Sequence, residues 1–116
     1  INDYERAVAV VENEIADSLI MQNKVDEAIK YLQEAQTKLE KVAQTDKTVL
    51  SYQLELAKVY RSMATAYSKK GEKNKAVEFI DKAMPIVQKI KELNSLRSSD
   101  KNLLAELEAE KTEYGK

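Results

Sequence analysis

Residues 64–83 read Ala-Thr-Ala-Tyr-Ser-Lys-Lys-Gly-Glu-Lys-Asn-Lys-Ala-Val-Glu-Phe-Ile-Asp-Lys-Ala, and residues 16–35 read Ala-Asp-Ser-Leu-Ile-Met-Gln-Asn-Lys-Val-Asp-Glu-Ala-Ile-Lys-Tyr-Leu-Gln-Glu-Ala. Laid over one another they place Ala16, Ala28 and Ala35 on Ala64, Ala76 and Ala83, with the same two gaps. Working outward at the same 48-residue offset, Tyr4 falls on Tyr52, Ala9 on Ala57, Val11 on Val59 and Lys41 on Lys89. Apolar pairs fill the intervals: Val8 with Leu56, Ile15 with Met63, Ile29 with Val77, Tyr31 with Phe79, Leu32 with Ile80, Leu39 with Val87 and Val42 with Ile90. Few chance alignments of an alanine-rich helical chain would reproduce both gaps, so the sequence reads as an internal repeat, and a repeat decides the architecture before any helix is drawn.

Within each copy the apolar residues recur at steps of three and four, the mark of a helix with one buried face. In the second copy Val49, Tyr52, Leu56, Val59, Tyr60, Met63 and Tyr67 form one such stripe, and Ala76, Val77, Phe79, Ile80, Ala83, Ile86, Val87, Ile90 and Leu93 form another. Gly71 sits between them, suited to the left-handed backbone that ends a helix. Asn23, the next best residue for that conformation, breaks the first copy. Asp46 is expected as the N-cap opening the second copy. The spacing predicts helices over 2–22, 25–44, 47–70 and 73–93. Pro85 falls inside the fourth and forfeits a backbone hydrogen bond at a cost of ~3 kcal/mol. Because the apolar stripe continues to Leu93, a kinked helix is expected rather than a terminus.

A third, incomplete copy follows. Leu104, Ala105 and Leu107 match Leu56, Ala57 and Val59, and then Glu108, Lys111 and Thr112 replace Tyr60, Met63 and Ala64. A helix that stacks on one side only needs a polar outer face, so the segment at about 99–114 reads as a cap or a truncated copy. Asn94 to Asp100 is the least helical stretch and the expected hinge. The chain divides as one domain into 1–46, 47–94 and a capping segment 95–116.

Composition narrows the function classes. The 116 residues hold 19 basic and 20 acidic side chains, a net charge of −1, which argues against a general phosphate-backbone binder. Two glycines, one proline and no tryptophan disfavour a turn-rich sandwich or barrel. With no histidine and no cysteine, the commonest acid–base group, metal ligand and thiol nucleophile are missing. No apolar run approaches the ~18 residues that span a bilayer. A signal peptide is not evident, and the absence of cysteine is compatible with the cytoplasm. The chain opens on Ile1, which suggests a fragment or a processed product.

The run Ala66 to Ala83, with Met63, Ala64, Tyr67, Gly71, Ala76, Ile80 and Ala83 in packing roles, resembles a tetratricopeptide repeat. The first copy resembles one more weakly, with Glu12 where the family favours an aromatic and Asn23 where it favours glycine. The resemblance covers about residues 8–93. Its unit of 48 residues exceeds the usual 34, and the longer apolar stripes absorb the difference as longer helices. Pro85 comes before the place where a family proline closes the second helix. The resemblance implies an all-α fold, a right-handed α-solenoid of antiparallel hairpins with a C-terminal capping helix.

In such arrays the first helix of each pair lines a concave groove. The resemblance assigns that face to Val10, Asn13, Asp17, Ile20 and Met21 in the first copy and to Lys58, Arg61, Thr65, Ser68 and Lys69 in the second. The capping helix adds Glu106, Glu110 and Glu113. The grip on a C-terminal carboxylate found in chaperone adaptors of the family is not expected, because Asn13 and Asp17 stand where its first lysine and asparagine would be. Lys58 and Arg61, three residues apart, point the same way and could hold an acidic side chain; a solvated helix face is the bland alternative. Lys69, Lys70, Lys73 and Lys75 crowd the turn at Gly71 and are read as solvated. Ile20 and Met21 are either core or a hot spot. Tyr4, Tyr31, Tyr52, Tyr60 and Tyr67 are read as packing residues, and the pairs Glu12 with Glu14 and Glu106 with Glu110 as surface charges with no perturbed pKa. With no phosphate loop and no nucleophile–base pair, the expectation is a non-catalytic module without cofactor. It would bind a protein or peptide partner, acidic or otherwise, as part of a larger signalling, scaffold or chaperone-adaptor protein. The rivals are self-assembly through open apolar ends along Ala7, Val8, Val11 and Ile15, and a small-ligand sensor.

Overall fold

Two residues hold a left-handed backbone, Asn23 at φ 64° and Gly71 at φ 81°, and each turns one helix back on the next. The hydrogen bonds around them match one for one. Asn23 N–H donates to the Ile20 carbonyl at 3.0 Å and Lys24 N–H to that of Leu19 at 2.8 Å; Gly71 donates to Ser68 at 3.0 Å and Glu72 to Tyr67 at 2.9 Å. This pairing of donors satisfies the last carbonyls of the preceding helix. At Gly71 a β-carbon would meet nothing within 4 Å, so it is the backbone conformation alone that asks for glycine.

The structure, a computed structural model, describes residues 2–93, 96 and 100–116. Among them lie five helices, α1 (Asn2–Met21), α2 (Val25–Thr45), α3 (Leu50–Lys69), α4 (Lys73–Glu92) and α5 (Leu103–Tyr114). Each helix packs on the next in the chain, and α1 also packs on α3. Most of the expected hinge, Asn94 to Ser99, lies outside the described residues apart from Leu96. No helix is long and apolar enough to cross a membrane among the described residues.

Small side chains fill the places where helices meet. Ala16, Ala28, Ala35, Ala64, Ala76 and Ala83 have no exposed surface, and between them Leu32, Leu39, Met63 and Ile80 fill the interior. A methyl group at these sites lets helix axes approach, where a longer side chain would overfill a close-packed interior. Phe79 of α4 stacks on Tyr67 of α3 with centroids 5.6 Å apart and planes 2° from parallel, an aromatic pair of the kind worth ~1 kcal/mol beyond its burial.

Three expectations need correction. Asp46 does not cap α3, which begins three residues later than expected with Val49 as its uncapped N-terminal neighbour. Its carboxylate instead accepts from the Thr48 hydroxyl at 2.8 Å, and the residue closes α2 by donating its N–H to the Val42 carbonyl. A side chain that can bond its own local backbone and neighbours competes with helix initiation. Tyr4 and Tyr31 are not packing residues: they are 73% and 38% exposed. Finally, Glu12 is buried rather than a surface charge, and Lys38 of α2 reaches both of its oxygens at 3.0 and 3.1 Å. Pro85 does lie inside α4, which continues to Glu92.

Candidate functional site

The 48-residue offset puts Asn13 of α1 and Arg61 of α3 at matched positions, and α5 follows as the third helix of the series. Their side chains line one cleft of about 360 Å³ together with Asp17, Lys58, Ser62, Thr65, Asp100, Leu103, Glu106 and Glu110. Helix periodicity explains the α3 wall. Lys58, Arg61, Ser62 and Thr65 are three, one and three residues apart, so they share one flank of the helix.

Ionic bonds cross the cleft from α3 to α5. Arg61 donates through Nε to both oxygens of Glu110 at 3.0 and 3.1 Å and through Nη2 at 2.7 Å. Its Nη1 stands 3.8 Å from Glu106. This forked geometry matches a planar guanidinium to a carboxylate, and the Glu110 hydrogen bond is the main reason the Arg61 pKa is raised. Lys58 lies 3.3 Å from Asp100, just ahead of α5. The Thr65 hydroxyl and the Tyr114 phenol are 3.0 Å apart. Lys58 and Arg61 therefore already hold carboxylates, supplied by the chain itself.

The α1 wall is less satisfied. Ser62 donates to Asp17 at 2.8 Å. Although Asp17 is exposed as a residue, loss of hydration around its carboxyl pushes its pKa up, opposed by the Ser62 hydrogen bond and the charge of Arg61. Asn13 Oδ1 is buried with no hydrogen-bond partner among the described residues. An acceptor left in that state costs about 1–3 kcal/mol relative to a bonded one.

Of the residues assigned to the groove from the sequence, Asn13, Asp17, Lys58, Arg61, Thr65, Glu106 and Glu110 meet in this cleft. Ile20 is buried at 4% and presents no surface to a partner, while its neighbour Met21 is 85% exposed. Met21, Ser68 and Lys69 stand outside the lining. Ser62, Asp100 and Leu103 were not anticipated; Ser62 is adjacent to Arg61 and interrupts an apolar flank, which was the available signal. The lysines at the Gly71 turn are partly engaged, Lys70 with Asp26 at 3.0 Å and Lys75 over the Tyr67 ring at 4.9 Å.

A second cleft, about 570 Å³, opens among α2, α3 and α4; Leu50, Leu56, Tyr60, Pro85, Ile86 and Ile90 form half of its lining, and Glu40, Lys47 and Lys89 are among the rest. Tyr60 donates to Glu40 at its wall at 2.6 Å, and burial is the first cause that drives the phenol pKa upward. Among the described residues no group of three or more carboxylates is placed to share a metal ion. Compared with protein-family models, curated proteins and solved structures, the chain matches none.

Proposed function

We propose that the chain is a non-catalytic protein-interaction module, a right-handed stack of two tetratricopeptide-like hairpins closed by α5, and that it binds an acidic segment of a partner in the α1–α3–α5 cleft. The observation that carries this reading is that a part-exposed cation, Arg61, held by Glu110, and an orphaned acceptor, Asn13 Oδ1, line the same 360 Å³ space. A partner carboxylate would take the place of Glu110 on Arg61, and a partner N–H would satisfy Asn13. The matched turns at Asn23 and Gly71 and the fully buried alanines support the stacked-hairpin part of the proposal.

Exchange is feasible because the resident pair is only partly buried, with side-chain exposures of 31% and 24%. Exposed pairs contribute roughly 1 kcal/mol or less; the fork on Glu110 places this one at or above that figure, so an incoming carboxylate has to match the same fork. Fluorescence anisotropy with labelled acidic and basic helical peptides tests it. The wild type is expected to bind acidic peptides, and Arg61→Glu to lose at least tenfold in affinity, about 1.4 kcal/mol, with helicity kept. Glu110→Gln removes the resident competitor and is expected to raise affinity for the acidic peptide; a fall in affinity would show that Arg61 acts only by holding α5 and would reject the proposal.

A second reading, a small-ligand sensor, draws on the other cleft. Its 570 Å³ and mostly apolar lining fall in the range of small-molecule sites, roughly 300–1,000 Å³. Native mass spectrometry of the purified chain would reveal a bound mass in that case.

A further inference from the structure

Three helices of the chain occupy successive positions of one 48-residue series: α1, α3 and the core of α5. The middle member, with α2 ahead of it and α4 behind, buries Tyr52, Leu56, Val59 and Met63 to 7% exposure or less. The first member carries the same kind of stripe uncovered: Tyr4 is 73%, Val11 53% and Ile15 39% exposed, with Val8 half-buried between them. The last member packs on α4, with Leu103, Leu104 and Leu107 buried.

We infer that the exposed stripe of α1 is a docking surface for α4 of a second copy of this chain, in competition with that copy's own α5. The occupant follows from the series itself. The outer face of α4 accepts a helix of this register, and α1 is another helix of the same register with a more apolar stripe. Val8 and Val11 stand where α5 has Leu104 and Leu107. At the two ends of the stripe α1 has Tyr4 and Ile15, where the capping segment has Asp100 and Lys111. Those two polar residues are held by ion pairs, Asp100 with Lys58 at 3.3 Å and Lys111 with Asp81 at 2.8 Å. The Lys111–Asp81 pair is half exposed on both sides, so it adds little to the hold of α5. Head-to-tail docking of this kind is heterologous: each copy donates α1 and accepts on α4, so growth is open-ended unless α5 stops it. The inference concerns a different surface from the cleft and does not depend on whether any partner binds there.

Analytical ultracentrifugation of the full chain over a roughly hundredfold concentration range tests it by mass action. Leu107→Asp, which ejects α5, is expected to more than double the weight-average mass at the top of the range. Adding Val11→Glu and Ile15→Glu is expected to return that variant to monomer. A Leu107→Asp chain that stays monomeric, or that associates equally with the two glutamates in place, would overturn the inference. So would a closed wild-type dimer indifferent to α5. Should Leu107→Asp lose the circular dichroism of α1–α4, Lys111→Met decides instead. By giving α5 the α3-type residue it should shift wild-type association to about tenfold higher concentration, and an unchanged profile would again overturn the inference.

Discussion

The first and second hairpins are built alike inside and differ outside. Ala9 and Ala57, Ala16 and Ala64, Ala28 and Ala76, Ala35 and Ala83 are all exposed by 1% or less. On the outer flank of the leading helix the matched residues part company: Val11 is 53% exposed and Val59 1%, Ile15 39% and Met63 2%. Both sets are apolar, so the side chains themselves do not explain the difference. Neighbours do, because α3 has a helix packed on either side of it in the chain and α1 does not. Periodicity tells which face of a helix is apolar, and only the arrangement of helices tells whether that face has a cover. The polar residues diverge as well. At matched positions α1 has Glu12, paired with Lys38, and α3 has Tyr60, bonded to Glu40.

The sharpest way to break this symmetry is to trim matched side chains. Met63→Ala is expected to cost about 3 kcal/mol in urea unfolding, as a buried large-to-small change does. Ile15→Ala should cost under ~1 kcal/mol, because less area is lost from a partly exposed site. Equal losses would mean that the two flanks have equal cover.

A smaller effect separates the polar pairs by pH. Loss of hydration raises the Glu12 pKa above its ordinary 4.5, with Lys38 pulling the other way. A carboxyl raised in the folded state favours folding when protonated, so its contribution is full below 4.5 and is lost as pH rises from there through the higher folded-state value. Lys38→Met removes the compensating charge and is expected to cost about 1 kcal/mol at neutral pH, with the loss shrinking as the solution is acidified toward pH 4.5 and below. Glu12→Gln should abolish that pH dependence. Tyr60→Phe, which takes one hydrogen bond from the Glu40 carboxylate, is expected to cost about 1 kcal/mol at neutral pH; denaturation midpoints measure both losses.

The smallest effect lies in the turns. Asn23→Gly should stabilise by ~0.5 kcal/mol and Gly71→Asn should cost a similar amount, since only glycine adopts positive φ freely. Opposite signs in thermal melts are the expected result.

Much of the helical framework was legible because it depends on local chemistry. Asn23 and Gly71 announce left-handed turns, and the alanine spacing marks the close approaches. The start of α3 was not legible, because Asp46 could bond locally to Thr48 as well as cap a helix, and nothing in the sequence ranks the two. The family resemblance put Asn13, Asp17, Lys58, Arg61, Thr65, Glu106 and Glu110 on one face, and helix phase alone sets Lys58 beside Arg61. That Arg61 already holds Glu110 was not legible, since the pairing spans 49 residues and depends on where α5 lands. The burial of Glu12 escaped for the same reason: Lys38, its partner, lies on another helix.

Chemical-shift mapping of an acidic helical peptide titrated into isotope-labelled chain tests the interaction cleft most directly. Resonances of Asn13, Asp17, Thr65 and the Arg61 side chain are expected to shift together, while those of Leu50, Pro85 and Ile86 on the other cleft stay still. Shifts confined to that second cleft, or none at all at saturating peptide, would contradict the proposed interaction.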